Sequence, residues 1–182
     1  MIGRIEVICG SMFSGKTEEL IRRLKRLKYA NQSFKVFKPE IDTRNKKNKI
    51  KSHGKIKIKA ETVINPKEIL DLSTDFDVIG IDEAQFFSSE LVDVCNTLAN
   101  KGIRVIVAGL DMDFSGKPFG PMPDLMAIAE EVTKVHAVCL ETGEPALYSY
   151  RKGKNDNVVL LGEKDEYEPL SRKAFISKMK NK

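Results

Sequence analysis

Several residue types are scarce in this chain of 182 residues, and each shortage narrows the classes of protein to which it belongs. Tryptophan is absent and only four tyrosines occur, with none interleaved among the lysines, so nucleic-acid binding has little support. The three cysteines form no even disulfide framework. No apolar run approaches the roughly 20 residues that cross a bilayer, and the first residues lack the pattern of a signal peptide. We therefore expect a cytoplasmic protein without nucleic-acid or membrane partners.

The chain is modestly basic, with a net charge of +5, and part of its positive charge is concentrated in one segment. Seven lysines lie between positions 46 and 59, where they alternate in part with Ile56 and Ile58 around Ser52-His53-Gly54. Such a segment could attract a polyanion, but the alternation favours a short solvated hairpin between Asp42 and Thr62.

A complete phosphate loop of the form G-x-x-x-x-G-K-[ST] occupies residues 10–17. Its glycines allow the backbone to approach a triphosphate closely, Lys16 reaches the β- and γ-phosphates, and the Thr17 hydroxyl can bind Mg²⁺. The apolar run Ile5–Cys9 precedes the loop, and an amphipathic pattern over Thr17–Ala30 follows it. This strand, loop and helix order favours ATP binding over a simple turn. The ATP-binding residues expected here are Gly10, Ser11, Met12, Phe13, Ser14, Gly15, Lys16 and Thr17.

Further apolar runs, separated by helical patterns, predict the fold. The predicted strands are Ile5–Cys9, Phe34–Phe37, Val78–Ile81 and Arg104–Gly109, with Val135–Cys139 as a further candidate. Ser88–Asn100 is predicted to be a helix that ends before Gly102. Continuous apolar strands between helices indicate an α/β protein with a mostly parallel sheet, here a P-loop NTPase core of the RecA-like kind. A change of pattern near Val138–Gly143 divides residues 1–138, the nucleotide-binding core, from 139–182, a small β-rich lobe.

An acidic pair, Asp82 and Glu83, directly follows the predicted strand Val78–Ile81. A phosphate loop needs a carboxylate on the Mg²⁺ side, and Asp82 is in position to supply it. Glu83 is then available as a general base for an alcohol nucleophile. The alternative is that the two acids merely cap the next helix, but they precede it by too many residues. An arginine that neutralises phosphate charge is also expected, with Arg44 and Arg151 as candidates.

With these motifs in place, the chain resembles the small, zinc-bearing class of thymidine kinases found in animal cytosol and many bacteria. The resemblance covers nearly the whole chain. It rests on Gly10–Thr17, Phe37-Lys38-Pro39 with Asp42 and Arg44, Ser52-His53, Asp82–Phe87, Gly109-Leu110-Asp111, Phe114, Pro118-Phe119-Gly120, Ala137-Val138-Cys139 and Gly162 through Tyr167 to Arg172. The Asp-Glu-x-Gln-Phe-Phe block combined with the phosphate loop is its most specific part.

The resemblance implies an enzyme that uses ATP and Mg²⁺ to phosphorylate the 5′-hydroxyl of thymidine or deoxyuridine. Glu83 matches the family's general base, and Lys16, Thr17 and Asp82 match its phosphate and metal contacts. The resemblance also implies a homotetramer. The residues that it assigns to the catalytic and nucleotide side are Asp42, Arg44, Ala84 and Gln85, and those that it assigns to the nucleoside are Leu110, Phe114, Phe119, Val158, Leu161, Gly162 and Tyr167. The last four fall on a loop of the carboxyl-terminal lobe that, by the resemblance, covers the nucleoside.

The chain departs from this family at the zinc site. Four cysteines in two C-x-x-C pairs are usual, but the four positions here are Cys139, Thr142, Ser171 and Ala174. Because one thiolate cannot replace four zinc ligands, we expect no zinc. Packing of Val138, Leu147, Leu170 and Phe175, or contacts between subunits, is then expected to hold the lobe. Ser11 is a smaller departure, since proline is commoner there, and it is expected to contribute only backbone.

Two other functions are compatible with the motifs. A noncatalytic or regulatory ATP-binding module would keep the loop and Asp82 but no longer capture a nucleoside, and the missing zinc ligands favour it slightly. The retained Glu83, Phe114, Phe119 and Tyr167 oppose it. A RecA-like ATPase stimulated by nucleic acid also fits the architecture, although no nucleic-acid-binding surface is evident.

Overall fold

The computed structural model describes residues 3–42, 49–51, 57–153 and 166–181. The helices in these ranges are α1 (Lys16–Leu27), α2 (Glu68–Asp71), α3 (Glu90–Asn100), α4 (Met122–Ile128) and α5 (Arg172–Lys180). The strands are β1 (Arg4–Cys9), β2 (Phe34–Pro39), β3 (Lys49–Lys51), β4 (Lys57–Lys59), β5 (Glu61–Val63), β6 (Val78–Ile81), β7 (Arg104–Gly109), β8 (Glu131–Lys134), β9 (Ala137–Val138), β10 (Pro145–Ala146), β11 (Tyr148–Arg151) and β12 (Tyr167–Leu170).

The central sheet has six strands in the order β5-β2-β6-β7-β1-β8, and every neighbouring pair is parallel. Strands β1 and β7 lie side by side, with Ile5 opposite Val105 and Cys9 opposite Gly109. Both strands are almost wholly buried, which explains why they read as continuous apolar runs in the sequence. The α/β fold with a parallel sheet, predicted from the sequence, is thus confirmed.

Helices cover both faces of this sheet, and alternate side chains of each strand enter different cores. On one face Ile8, Ile106 and Ala108 pack with the apolar stripe of α1. On the other face Ile5 and Val107 pack with α3 and α4. The apolar residues of α1 are Leu20, Ile21, Leu24 and Leu27, and all four are buried as their spacing predicts.

The two predicted helices form with small differences at their ends. Helix α1 ends at Leu27 and continues as a 3₁₀ turn over Lys28–Ala30. Helix α3 begins at Glu90 and buries Leu91, Val94, Cys95 and Leu98, and Gly102 follows it with φ +89°. The left-handed backbone at Gly102 is the helix-terminating conformation for which glycine is favoured. None of the helices in the described residues is both long and apolar enough to cross a membrane.

The further candidate strand, Val135–Cys139, contains the short strand β9, which pairs with β10 and is not part of the central sheet. The sixth strand is Glu131–Lys134, whose pairing with β1 ends at the Cys9–Lys134 pair. Its side chains are mostly exposed because it lies at the sheet edge, so it lacks the apolar signal on which the prediction relied. Strand β5 on the other edge is also short, and the sequence analysis did not anticipate it.

The predicted excursion after Asp42 contains an antiparallel pair in its described part. Lys49 of β3 pairs with Lys59 of β4, and Ile50 pairs with Ile58. Ile50 is buried against the core beside α1, whereas the Lys57 and Lys59 side chains are exposed. The described strands therefore agree with the predicted hairpin, whereas its Ser52-His53-Gly54 turn lies outside the described residues.

The carboxyl-terminal part has a small core of its own. Strands β9 and β10 pair antiparallel, as do β11 and β12, and α5 packs beside them. The buried members of this core, called here the lobe core, are Ala137, Cys139, Ala146, Tyr148, Leu170, Ala174 and Phe175. Leu170 and Phe175 contribute to it as predicted and Leu147 packs against it, but Val138 is 63% exposed, so its predicted packing role is wrong.

Candidate functional site

The phosphate loop connects the end of β1 to the start of α1 and has an irregular backbone. Gly10, Phe13 and Gly15 have φ values of +145°, +64° and +86°. A Cβ on Gly10 would lie 2.1 Å from the carbonyl oxygen of Val135, so this position requires glycine. Gly15 forms the N-cap of α1, and the loop therefore lies at the positive end of the helix dipole, where anions bind.

Polar contacts within the loop converge on one carbonyl group. The Lys16 ammonium and the Ser14 hydroxyl both donate to the carbonyl oxygen of Ser11, each over 2.7 Å. The charged end of Lys16 is thus held over the loop, on the side where a triphosphate would bind.

The second half of the site follows β6. Asp82 is buried, and its backbone N–H donates to the carbonyl of Phe37 on the neighbouring strand. The Thr17 hydroxyl donates to the Asp82 carboxylate, with distances of 3.1 and 3.3 Å to its two oxygens. The phosphate loop and the acidic pair therefore meet at the carboxyl edge of the sheet, as expected for parallel strands.

The electrostatics of Asp82 suit a cation ligand. Burial, followed by the negative charge of Glu83, raises the pKa of Asp82 to about 7, although hydrogen bonds from the Glu83 N–H and from Thr17 and the charge of Lys16 work to lower it. A buried carboxylate next to a hydroxyl is an all-oxygen donor set, which is the chemistry that Mg²⁺ prefers. Thr17 and Asp82 therefore fit a magnesium ion.

Both the backbone and the side chain of Glu83 are fixed in position by the structure. Its φ of +55° is unusual for a residue with a side chain, and it caps the 3₁₀ turn Ala84–Phe86. The side-chain amide of Gln85 donates to Glu83 Oε2 over 2.7 Å, while its oxygen accepts from the Leu110 N–H over 2.9 Å. Gln85 thus connects the candidate base to the loop after β7.

Two glycines pack closely against Gln85. A Cβ on Gly109 would lie 2.9 Å from Gln85 Oε1, and one on Gly120 would lie 2.3 Å from the Gln85 carbonyl oxygen. Gly109 and Gly120 were part of the sequence resemblance, but only the structure gives their physical reason.

Aromatic side chains from the segment after β7 make two further sets of contacts, one of them with an arginine. The Phe119 ring contacts Phe86 edge to face, with ring centroids 5.7 Å apart. The Arg151 guanidinium lies 3.8 Å from the centroid of the Phe114 ring and donates to the Tyr167 hydroxyl over 2.7 and 3.1 Å. Arg151 and Tyr167 are buried and Phe114 is half-buried, so the structure brings these three residues into one cluster.

Other predicted residues fall in different surroundings. The Asp42 carboxylate is buried beside the Lys38 ammonium, which also donates to the Asp42 carbonyl oxygen over 3.0 Å. Ala84 is fully buried in the 3₁₀ turn. The remaining predicted site residues, Arg44, Val158, Leu161 and Gly162, lie outside the described residues.

The expectation that Ser11 contributes only backbone is wrong. Its hydroxyl is buried and donates to the carbonyl oxygen of Ala146 over 2.9 Å. The adjacent Met12 N–H donates to the hydroxyl of Ser149 over 2.9 Å. Ser149 could not be identified from the sequence, because a serine in a short strand carries no motif signal.

The four positions of the family's zinc site lie in a region of hydroxyl and backbone hydrogen bonds. The Thr142 hydroxyl donates to the Ser171 hydroxyl over 3.1 Å, and Ala174 has no ligand atom. Burial acts to raise the pKa of Cys139, but hydrogen bonds from the Thr142 hydroxyl and from the N–H groups of Ser171, Thr142 and Glu141 lower it to about 7. One thiol and two hydroxyls do not fit zinc. No group of three or more histidine, cysteine or acidic side chains that could hold a metal occurs in the described ranges.

The parallel sheet, the phosphate loop and the acidic pair define a nucleotide-binding protein of the P-loop class. Comparisons with known proteins specify the family. A family model described as thymidine kinase matches residues 3–175, so the chain belongs to the thymidine kinase family.

Curated relatives cover almost the whole chain. A thymidine kinase of Bacteroides fragilis (strain YCH46) is 60% identical over 173 residues, which are 95% of this chain and 87% of the relative. One from Porphyromonas gingivalis (strain W83) is 57% identical, over 95% of this chain and 85% of the relative. One from Rhodothermus sp. (strain ITI 518) is 53% identical, over 96% of this chain and 82% of the relative. Among solved structures, the Legionella pneumophila ATPase DotB matches 70% of this chain and 35% of its own, with TM-score 0.43 and 14% identity.

Proposed function

We propose that this protein is an ATP-dependent thymidine kinase, which transfers the γ-phosphoryl group of ATP to the 5′-hydroxyl of thymidine or deoxyuridine and releases ADP. Family membership supports the reaction class. The contact between Thr17 and Asp82 is the observation that carries the proposal, because it joins the phosphate loop to the acidic pair at one edge of the sheet. A phosphoryl donor and an acceptor alcohol can therefore meet between these elements.

In this proposal each residue has a defined task. The loop amides and Lys16 bind and orient the phosphates, and Arg44 is the candidate for a further charge on them. Glu83, held by Gln85, accepts the proton of the 5′-hydroxyl as the bond to phosphorus forms, an effect worth about 10²–10⁴-fold. Thr17 and Asp82 would hold Mg²⁺, and Asp42 is expected near it. When bound, that ion supplies charge neutralisation at the phosphates.

The nucleoside is proposed to bind beside Leu110, Phe114, Phe119 and Tyr167, together with Val158, Leu161 and Gly162. Aromatic faces suit a pyrimidine, and backbone groups can match its carbonyl and imide edge. The cluster of Arg151 with Phe114 and Tyr167 supports this assignment, since it fixes two of these rings. A base that leaves buried polar groups unpaired would lose about 1–3 kcal/mol for each.

The organisation and surroundings of the enzyme are also proposals. The separate lobe core supports a division into residues 1–138 and 139–182. A homotetramer and a cytoplasmic location remain predictions. We further propose that the protein folds without zinc, with hydrogen bonds around Cys139 and the lobe core in place of the metal. Elemental analysis of untagged protein should find less than stoichiometric zinc, and a chelator-resistant zinc ion per chain would contradict this.

The function can be tested with purified protein, Mg-ATP and a panel of nucleosides, with the products identified chromatographically. We expect transfer to thymidine and deoxyuridine. Nucleotide binding without transfer would support a noncatalytic module, and hydrolysis stimulated by polynucleotide would support an ATPase.

A variant of the candidate base tests the mechanism. Glu83→Gln keeps the size of the side chain but removes the proton acceptor, so kcat should fall by about 10²-fold or more while ATP affinity stays nearly constant. Unchanged turnover would exclude Glu83 as the base. Glu144→Gln, a neutralising change at an exposed position in the turn between β9 and β10, serves as the charge-matched control.

A further inference from the structure

Three consecutive residues of the phosphate loop contact the carboxyl-terminal part of the chain. The Ser11 hydroxyl donates to the Ala146 carbonyl, and the Met12 N–H donates to the Ser149 hydroxyl, each over 2.9 Å. The half-buried Phe13 side chain packs against the lobe core. These contacts join residues about 135 positions apart, so the loop is not an independent strand-to-helix connection.

The contact with Ser149 belongs to a peptide group that makes three hydrogen bonds. The peptide between Ser11 and Met12 offers its N–H to Ser149 and its carbonyl oxygen to Lys16 and Ser14. In a trans peptide the N–H and C=O point in opposite directions. A partner that fixes the N–H on the lobe side therefore also fixes the carbonyl on the side of the Lys16 ammonium.

We propose that Ser149 is a positioning residue for the phosphate loop: it holds the Ser11–Met12 peptide in the orientation that places Lys16 for ATP. Ser11 assists by attaching the same segment to Ala146. The inference rests on the proposed binding of ATP at this loop and assigns the lobe a part in nucleotide binding, in addition to its proposed part in covering the nucleoside.

The surroundings of Ser149 suit this task. It is 4% exposed and lies in β11, where it is opposite Pro169 of β12, so its position is set by the lobe and not by the loop. Ser11 is equally buried. A buried backbone N–H without a hydrogen-bond partner is unfavourable. If Ser149 loses its hydroxyl, reorientation of the Ser11–Met12 peptide towards another partner therefore becomes favourable.

Substitution of Ser149 separates this role from general support of the fold. In Ser149→Ala the hydroxyl is lost with little change in volume, and we expect Mg-ADP affinity by calorimetry and the KM for ATP to weaken about three- to tenfold. The KM for thymidine should change less than twofold. Ser149→Thr keeps the hydroxyl on a strand that tolerates β-branching, so it should restore nucleotide affinity. Ser11→Ala should shift the same parameters in the same direction.

Ser33→Ala is the matched control, because Ser33 also bonds through its hydroxyl but to Asp77, at the opposite edge of the sheet. It should leave nucleotide affinity unchanged. Equal Mg-ADP affinity in Ser149→Ala and the unaltered protein would overturn the proposal. A KM that is raised for thymidine alone would also overturn it, because Ser149 would then be part of the nucleoside pocket. Lack of Mg-ADP binding by the unaltered protein would instead overturn the proposed function.

Discussion

Backbone conformation is the first notable property of the candidate catalytic residue. Glu83 has φ +55°, and Phe13 of the phosphate loop has φ +64°; Asn31 is the one other non-glycine residue with positive φ in the described ranges. Such conformations cost of order 1–3 kcal/mol and persist where the surroundings enforce them, often at functional sites. At Glu83 the hydrogen bond from Gln85 is one such constraint.

Gln85 provides a test at this scale. Gln85→Glu would set a second carboxylate beside Glu83, which raises the pKa of one member of the pair and leaves the base protonated more often near neutral pH. We expect kcat to fall by about tenfold or more near pH 7 and to recover partly as the pH rises.

The measurement is a pH profile of kcat, compared with that of Gln32→Glu. Gln32 precedes β2 at the amino edge of the sheet, so the same charge change there should not move the profile. A uniform loss of activity at all pH values would mean that Gln85 acts by a route other than the charge state of Glu83.

At the level of elements, short connections after β6 and β7 determine the geometry of the site more than the strands themselves. Gly120 and Gly143 both have positive φ, of +52° and +70°. A Cβ on Gly120 would meet the Gln85 carbonyl, whereas one on Gly143 would meet no atom within 4 Å. The two glycines therefore form a matched pair in which steric contact differs and backbone strain is similar.

Alanine substitution should separate these two effects. Gly143→Ala should cost about 1 kcal/mol in unfolding free energy from backbone strain alone. Gly120→Ala should cost more, about 2 kcal/mol or above, and should also lower kcat because Gln85 is displaced. Denaturant unfolding and steady-state kinetics measure both quantities. Equal stability and activity in the two variants would contradict the role of this contact.

The sequence predicted the central elements because burial leaves a pattern. Strands β1, β6 and β7 are apolar throughout, and the stripe of α3 has helical spacing, so both were found. The edge strand β8 is exposed and polar, so it was missed. The phosphate loop and the acidic pair are local motifs, whereas the contacts of Ser149 with Met12 and of Gln85 with Leu110 join residues brought together only by folding. No local pattern could have indicated their partners.

At the scale of the whole molecule, a buried glutamate unites several elements of the core. Glu6 of β1 is 1% exposed and accepts from Arg104 of β7, over 2.7 and 2.9 Å, and from Arg23 of α1, over 2.7 Å. Arg4 also pairs with it over 2.7 Å. Burial acts to raise the pKa of Glu6, but the hydrogen bonds and charges of the arginines outweigh it and lower the pKa below its usual range.

Glu6→Gln should therefore destabilise the protein, by about 2–4 kcal/mol at neutral pH, because the arginines lose a buried partner. A lowered pKa in the folded state means that this stabilisation is complete above the unfolded pKa of about 4.3 and is lost as the pH falls through the folded value. The free energy of unfolding should be measured for both proteins at neutral and at acid pH. The difference between the two proteins should be smaller at acid pH. If the difference in unfolding free energy did not depend on pH, the lost stability would come from packing and not from the charge of Glu6.

The attachment of residues 11 and 12 to residues 146 and 149 also bears on biosynthesis. Translation delivers the amino-terminal motif first, but its two anchors leave the ribosome only after most of the polypeptide has been made. Nascent chains that stop before residue 146 can align the parallel strands and yet lack these anchors. Full affinity for the nucleotide would then arise late, so prematurely terminated products would bind ATP less tightly than the complete chain.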